Sequence, residues 1–261
     1  MTGGVAVLPS GYAARCFDEV GSTNEVAMGL LRGGAPSGTI VLAAAQSGGR
    51  GRDGRRWQSP AGNLYMSIAL RPPGRPGDVA QLSFAIAVAV AETAGDLLGA
   101  TAPVTLKWPN DVLVSGRKLA GILLESDGVR ADGVDGLVIG VGVNVAVNPK
   151  ALASGGLPPT CLAEHMAAGA ETPTVDHVLG MLVARFDRLY RQWCADGFAP
   201  IRRGWLGWAH GLGGEITARL PRATLHGRFV DLDPGGALIL ETPAGRQSIH
   251  AGDVFFGPEA C

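Results

Sequence analysis

Gly48-Gly49-Arg50-Gly51-Arg52-Asp53-Gly54-Arg55-Arg56 packs four glycines and four arginines into nine residues, between apolar runs at 40–44 and 64–70. Neither a helix nor a strand interior accommodates that density of glycine, so the segment must be a long loop, and the apolar runs read as buried strands. Such a loop lets backbone approach a ligand closely while guanidinium forks grip an anion; the plain alternative is an exposed charged turn. Gly49, Gly51 and Gly54 spell G-x-G-x-x-G, but Trp57-Gln58-Ser59-Pro60 follows where a helix should open. No acid lies between Asp53 and Asp78, so the dinucleotide fingerprint fails on context, and no P-loop pattern occurs. A nucleic-acid-binding Arg/Gly segment would lie in a disordered tract rather than between two strands.

Ser22-Thr23-Asn24-Glu25 has the form of a capping box and predicts a helix ending at Gly33-Gly34. The apolar window 82–91 is too short for a bilayer, which needs roughly 20 residues, and predicts a buried helix over 78–98. Strands are expected at 104–108, 111–114, 118–125 and 137–144, joined by short turns. That pattern predicts an α+β fold with a mixed or mainly antiparallel sheet and helices on one face. Val178, Leu182, Phe186, Leu189, Tyr190 and Trp193 form a helical stripe suited to core packing. From Glu215 onward short alternating pieces, with turns at Asp233-Pro-Gly-Gly and Thr242-Pro-Ala-Gly, predict a small β-barrel beginning near 208–213.

The 261 residues carry 22 Lys and Arg against 23 Asp and Glu, a net charge of −1. That balance removes the global attraction of a non-specific nucleic-acid binder, so any anion site must be local. Cysteines at 16, 161, 194 and 261 have neither zinc-site spacing nor disulfide-scaffold density, which points to the reducing cytoplasm. Residues 1–10 lack the basic and apolar regions of a signal peptide.

Three further segments carry chemistry. In Lys107-Trp108-Pro109-Asn110-Asp111 the proline cannot continue a ladder, so Lys107 and Asp111 should flank a tight bend. That suits a phosphate with its Mg²⁺, or a plain surface turn with one salt bridge. Lys118 opens an apolar strand where a lysine is uncommon, and Gly121 leaves a gap for a flat ligand or another backbone. Gly140-Val141-Gly142-Val143-Asn144 ends a strand in an amide suited to a ribose hydroxyl.

Taken in order, Ser22-Thr23-Asn24, Gln46 with Gly49-Arg50-Gly51-Arg52-x-Gly54-Arg55-x-Trp57, Lys107-Trp108-Pro109-Asn110-Asp111, Lys118-Leu119-Ala120-Gly121-Ile122-Leu123 and Gly140-x-Gly-x-Asn144 resemble the biotin protein ligases. The resemblance is strong over residues 17–145, and Ala251-Gly252-Asp253-Val254 is similar to the family's C-terminal ending. It implies a class II aminoacyl-tRNA-synthetase-like catalytic domain at 1–210, a mixed sheet with helices, and an SH3-like β-barrel at 211–261. The implied reaction makes biotinyl-5′-AMP from biotin and MgATP, then transfers the biotinyl group to a lysine of a biotin carboxyl carrier protein or domain. A lipoate ligase or acyltransferase of the same fold and a non-enzymatic biotin-binding module are the alternatives.

The resemblance assigns biotin binding to Ser22, Thr23, Asn24, Gln46, Gly49, Arg50, Arg52, Trp57, Lys118 and Gly121. ATP and the adenylate fall to Arg50, Arg52, Arg55, Lys107, Asn110, Asp111, Lys118 and Asn144. Lys118 and Arg52 are the expected catalytic pair, and Asp111 the expected Mg²⁺ ligand and acceptor of the lysine proton. Residues 48–54 are expected to be mobile or disordered without ligand, with glycine freedom and repulsion among the loop's arginines keeping them so, and to order with biotin or the adenylate. Cys161, where the family usually has serine, is expected at the surface, and the segment 146–159, which should cover adenine, shows no stacking aromatic. With 21 residues before Ser22, the short form without an N-terminal DNA-binding domain is expected, with neither DNA nor membrane as a partner.

Overall fold

The computed structural model describes residues 6–150 and 157–256. β1 (Ala13–Val20) runs parallel to β2 (Thr39–Gln46), with α1 (Thr23–Arg32) as the crossover. β3 (Leu64–Leu70), β4 (Val104–Lys107), β5 (Asp111–Val114), β6 (Arg117–Asp127) and β7 (Gly136–Val143) complete a seven-stranded sheet in the order β1-β2-β3-β7-β6-β5-β4. Every neighbouring pair except β1 with β2 is antiparallel.

Strand alternation sends side chains to two different cores. Ile40, Leu42, Met66, Ile68, Ile139 and Val141 face α3 (Leu82–Leu98), α4 (Val175–Asp196) and α5 (Phe198–Gly207). On the opposite face Val41, Ala69 and Val138 lie under Ala27 and Leu31 of α1. The expectation of helices on one face is therefore corrected: α1 covers the second face, because its short stripe of Ala27 and Leu31 matches the small side chains beneath it. α1 reaches only part of that face, which leaves the sheet beyond its N-terminus uncovered by helix.

The helix expected over 78–98 is two, α2 (Pro76–Ala80) and α3, meeting at Gln81, whose side-chain oxygen accepts the Trp193 indole N–H at 3.1 Å. β1 and α5 were not foreseen; β1 is largely exposed and shows no inward alternation.

A second sheet, in the order β11-β10-β9-β8-β12, is built from β8 (Glu215–Arg219), β9 (Thr224–Leu232), β10 (Leu238–Thr242), β11 (Gly245–Ile249) and β12 (Asp253–Phe256). All of its pairings are antiparallel. Its apolar side chains, including Ile216, Phe229, Leu238 and Val254, join the α3–α5 core. The junction is hydrogen-bonded as well: Leu106 N–H donates to Trp208 O at 2.7 Å, His210 N–H to Leu106 O at 2.8 Å, and the Trp108 indole to Gly236 O at 3.1 Å. These bonds fasten the small sheet beside the bend between β4 and β5.

Candidate active site

Beyond the N-terminus of α1, the uncovered sheet face presents Ser67 of β3, Gly140 and Gly142 of β7, and Gly121 of β6. Gly121 and Gly142 are register partners, so two glycines lie side by side and the floor there is bare backbone. A Cβ on Gly142 would sit 2.5 Å from Trp57 Nε1, and one on Gly121 would sit 3.0 Å from the same ring, so the indole lies flat on this pair. The gap foreseen at Gly121 is thus filled by Trp57. A Cβ on Gly140 would meet Asn24 Oδ1 at 2.2 Å.

Lys118 reaches this face because of a register shift. Val112 pairs with Ala120 but Leu113 pairs with Lys118, so β6 carries one extra residue at Leu119. A strict period of two would put Lys118 with Ala120 and Ile122 on the core face; the bulge reverses that and re-aims the side chain. Its Cε comes within 3.4 Å of the position a Gly121 Cβ would take, and its ammonium lies 5.4 Å from the Trp57 ring centroid. Lys118 Nζ pairs with Asp111 Oδ1 at 2.7 Å. Lys107 and Asp111 flank the bend as foreseen, being register partners, yet the carboxylate turns to Lys118. Burial pushes the Lys107 ammonium below its ordinary pKa, against the pull of Asp111, and Lys118 adds to the lowering.

At the other end of the floor, Gln46 Oε1 accepts from Thr23 N–H at 2.8 Å and from Thr23 Oγ1 at 3.1 Å, while Gln46 Nε2 donates to Ser59 Oγ at 2.9 Å. Ser67 Oγ, fully buried, donates to Asn24 Oδ1 at 2.6 Å, and Asn24 Nδ2 donates to Glu125 Oε2 at 2.6 Å. The expected capping box does not form. Ser22 makes no side-chain cap bond, and Glu25, which in a capping box would return to the Ser22 N–H, turns to Arg50 instead. The Ser22 hydroxyl, at a buried residue, is thereby spared for another partner.

Carboxylates pair with two of the loop's arginines. Arg50 pairs with Glu25 and, at 3.5 Å, with Glu125; Arg55 pairs with Asp253 of β12 and, at 3.8 Å, with Asp53. Repulsion among the arginines is therefore already relieved by carboxylates in two of the four cases. Gly49 is where the loop closes most tightly on itself, since a Cβ there would lie 2.6 Å from Trp57 O. Arg52 Nη1 is 3.5 Å from Asn110 Oδ1, and Asn110 Nδ2 donates to Ile122 O at 2.7 Å, which ties the bend to β6.

Asn144 is buried, and its amide N–H donates to Thr160 O at 2.8 Å, so that half of the side chain is spent on the fold. Its Oδ1 and the Trp57 indole N–H are buried without a hydrogen-bond partner among the described residues. Two such orphans, of opposite polarity, suit a ligand that offers both donors and acceptors. Cys161 is buried rather than superficial, with its thiol toward Ala146 O and its pKa raised by burial. Of the segment 146–159 foreseen over adenine, residues 151–156 lie outside the described residues.

Sequence reasoning missed Ser67, Glu125 and Asp253 as parts of this constellation. A lone serine in the apolar strand Leu64–Leu70 was a readable signal for the first; the others depend on pairings across 75 and 198 positions.

Residues 17–144 match the Biotin/lipoate A/B protein ligase family, and residues 211–257 match the Biotin protein ligase C terminal domain. The biotin–[acetyl-CoA-carboxylase] ligase of Paracoccus denitrificans is 44% identical over 90% of this chain and 97% of its own. The chain belongs to the biotin/lipoate A/B protein ligase family. Another member, the bifunctional ligase/repressor BirA of Bacillus subtilis, is 34% identical over 92% of this chain and 73% of its own length. Among solved structures, the Aquifex aeolicus biotin protein ligase in complex with biotin and ATP superposes with a TM-score of 0.77 at 26% identity, covering 94% of this chain and 99% of that one. The ligase-family match runs from before Ser22 to Asn144 and so spans the whole glycine floor; the C-terminal match includes Asp253, which reaches back to Arg55.

Proposed function

We propose that this chain is an ATP-dependent biotin ligase, forming biotinyl-5′-AMP and passing the biotinyl group to one lysine of a biotin carboxyl carrier protein or domain. The observation that carries the proposal is the bulge at Leu119, which turns Lys118 onto a bare glycine floor beside Trp57 and Asp111. A charge re-aimed in this way serves chemistry better than it serves the core.

Biotin is a neutral ureido bicycle with an acyl chain and needs a few fixed hydrogen bonds between apolar walls. Ser22, Thr23, Asn24, Gln46, Gly49 and the backbone at Arg50 supply the polar end in this reading, with Trp57 and Gly121 as wall and floor. The Thr23–Gln46–Ser59 bonds fix those groups before ligand arrives. Lys118 stands between the biotin carboxylate and the α-phosphorus, where negative charge builds as the new P–O bond forms and pyrophosphate departs. Arg52 holds the adenylate, whose ATP precursor also meets Lys107, Asn110 and Asn144. Arg50 and Arg55 act at one remove, by tying the loop to Glu25, Glu125 and Asp253.

The incoming lysine has a reference pKa near 10.4, so about one in 2,500 is neutral at pH 7 and its proton needs an acceptor. Asp111, which also orients Lys118, is the proposed acceptor. No group of three or more His, Cys, Asp or Glu among the described residues could hold a resident metal. In this reading magnesium enters as MgATP, with Asp111 the one protein carboxylate proposed to meet it, in keeping with the small protein share in Mg²⁺–nucleotide sites. The same reading assigns catalysis to residues 1–210 and the SH3-like domain to 211–261, and places the enzyme in the cytoplasm.

The test is isotope exchange between pyrophosphate and ATP. Exchange should require biotin and should not be supported by lipoate. Lipoate-dependent exchange, or none with either acid, would overturn the reading.

A further inference from the structure

Residues 158–163 hold both Lys118 and Asn144 through the main chain. Lys118 N–H donates to Pro158 O at 2.8 Å and Thr160 N–H donates to Lys118 O at 3.0 Å. Leu162 N–H donates to Asn144 O at 3.0 Å, and Asn144 Nδ2 donates to Thr160 O at 2.8 Å. This clamp is only as firm as whatever fixes residues 158–163 themselves.

Glu164, in a short turn of 3₁₀ helix (Leu162–His165), gathers donors from three parts of the clamp. Its Oε2 accepts from Arg117 Nη1 at 2.8 Å and from Thr160 Oγ1 at 2.9 Å, and its Oε1 accepts from Asn148 Nδ2 at 2.7 Å. Arg117 also donates to Pro159 O at 2.7 Å, and Thr160 Oγ1 lies 2.7 Å from His165 Nε2. One carboxylate thus joins the residue before Lys118, the residue that brackets Lys118 from across the clamp, and the residue four beyond Asn144. A lone surface glutamate with a single lysine or arginine partner contributes little, whereas converging charge-assisted bonds define a geometry. Burial works to raise the Glu164 carboxyl, and the bonds from Asn148, Thr160 and Arg117 outweigh it, leaving it below the usual carboxylate range.

We propose that Glu164 is a positioning residue for adenylate formation, acting through Arg117 and Thr160 to hold Lys118 and Asn144 in place. The assignment rests on the biotin-ligase reading above and deepens it. In this assignment Glu164 acts only through the groups it places.

The test uses Glu164→Ala and Glu164→Gln in the full chain. In biotin-dependent pyrophosphate exchange, Glu164→Ala should lower kcat by about 10- to 100-fold, the scale of loss for a displacement near 1 Å, while the KM for biotin stays unchanged. Glu164→Gln should recover part of the rate, because its amide oxygen can still accept from Arg117. A role in bulk stability alone would lower Tm and leave kcat of the folded fraction intact, which would overturn the proposal. Hydrogen exchange of the ligand-free variants supplies a readout independent of substrate: amides at 117–120 and 157–163 should exchange faster and those of Thr39–Gln46 should not. Unchanged exchange at 117–120 would refute the positioning role of Glu164, whereas a wild-type protein inert toward biotin would refute the ligase reading instead. If Glu164→Ala does not fold, Glu164→Gln carries both measurements, with a smaller loss in the same direction expected.

Discussion

Replacing Gly142 with alanine would place a Cβ 2.5 Å from Trp57 Nε1, 2.6 Å from its Cε2 and 2.8 Å from its Cζ2. Nonbonded carbon contacts settle near 3.5–4.0 Å, so one partner must retreat by about 1 Å. β7 cannot retreat readily, being hydrogen-bonded to β3 on one side and to β6 on the other. The indole must therefore lift, carrying with it the wall of the proposed biotin pocket and the ring beneath the Lys118 ammonium. Overpacking of this kind costs about 1–3 kcal/mol in stability. For a chain of this size that lowers Tm by roughly 2–10 °C and leaves the protein folded at 25 °C. The kinetic loss should be far larger, on the order of 10²-fold in biotin-dependent pyrophosphate exchange, because reacting groups tolerate little displacement. Gly29→Ala is the matched control: its Cβ would meet nothing within 4 Å on an exposed face of α1, so activity should stay at the wild-type level. A folded Gly142→Ala protein that turns over like wild type would show that Trp57 does not rest on Gly142 during the reaction, and the glycine floor would lose its assigned purpose.

Lys118→Ala should reduce adenylate formation by about 10²–10³-fold while the protein still folds, since it removes transition-state charge rather than core volume; an unimpaired exchange rate would take Lys118 out of the chemistry. Arg52→Gly should loosen the adenylate more than biotin, so that albumin added to the reaction acquires biotin on its lysines; label confined to the carrier at full turnover would contradict that role. For Asp253, burial favours the neutral acid, but the Arg55 hydrogen bond and the charges of Arg55, Lys107 and Arg52 hold its pKa below the ordinary 3.8. A depressed carboxylate pKa means that the Arg55 tie is complete above that ordinary value and is lost as pH falls through the lower folded one. Hydrogen-exchange protection of residues 50–56 should fall over that acidic range in wild type and should already be reduced at neutral pH in Asp253→Asn. Equal protection in the two proteins would show that the second sheet does not steady the loop.

Strands with a strong apolar signal were legible to the residue, as at Leu64–Leu70 and Asp111–Val114, and the antiparallel C-terminal sheet announced itself through its turns. β1 was not legible because most of its residues are exposed and show no inward alternation, and the expectation of helices on one face failed because α1 docks on the other through Ala27 and Leu31. In the candidate site, Lys118 stood out as a charge opening an apolar strand, and Gly140 and Gly142 as glycines spaced by two. The bulge that turns Lys118 onto their face left no local trace, since it exists only in the pairing of β5 with β6. Ser22 shows the reverse problem: a strong local signal for a capping box was overridden when Glu25, its returning half, paired with Arg50 of the loop. The arginines of the loop were readable as an anion grip, but three of their carboxylate partners lie on α1, β6 and β12, and only the fold brings those elements together.

The central claim is that this chain joins biotin to a protein lysine through an adenylate. Its most direct test is the intact mass of a purified biotin carboxyl carrier domain after incubation with the protein, biotin and MgATP. The carrier should gain one biotinyl group, dependent on ATP, absent from a carrier whose acceptor lysine is arginine, and not replaced by a lipoyl group when lipoate is supplied. An unmodified carrier beside an active positive control, or a lipoylated one, would contradict it.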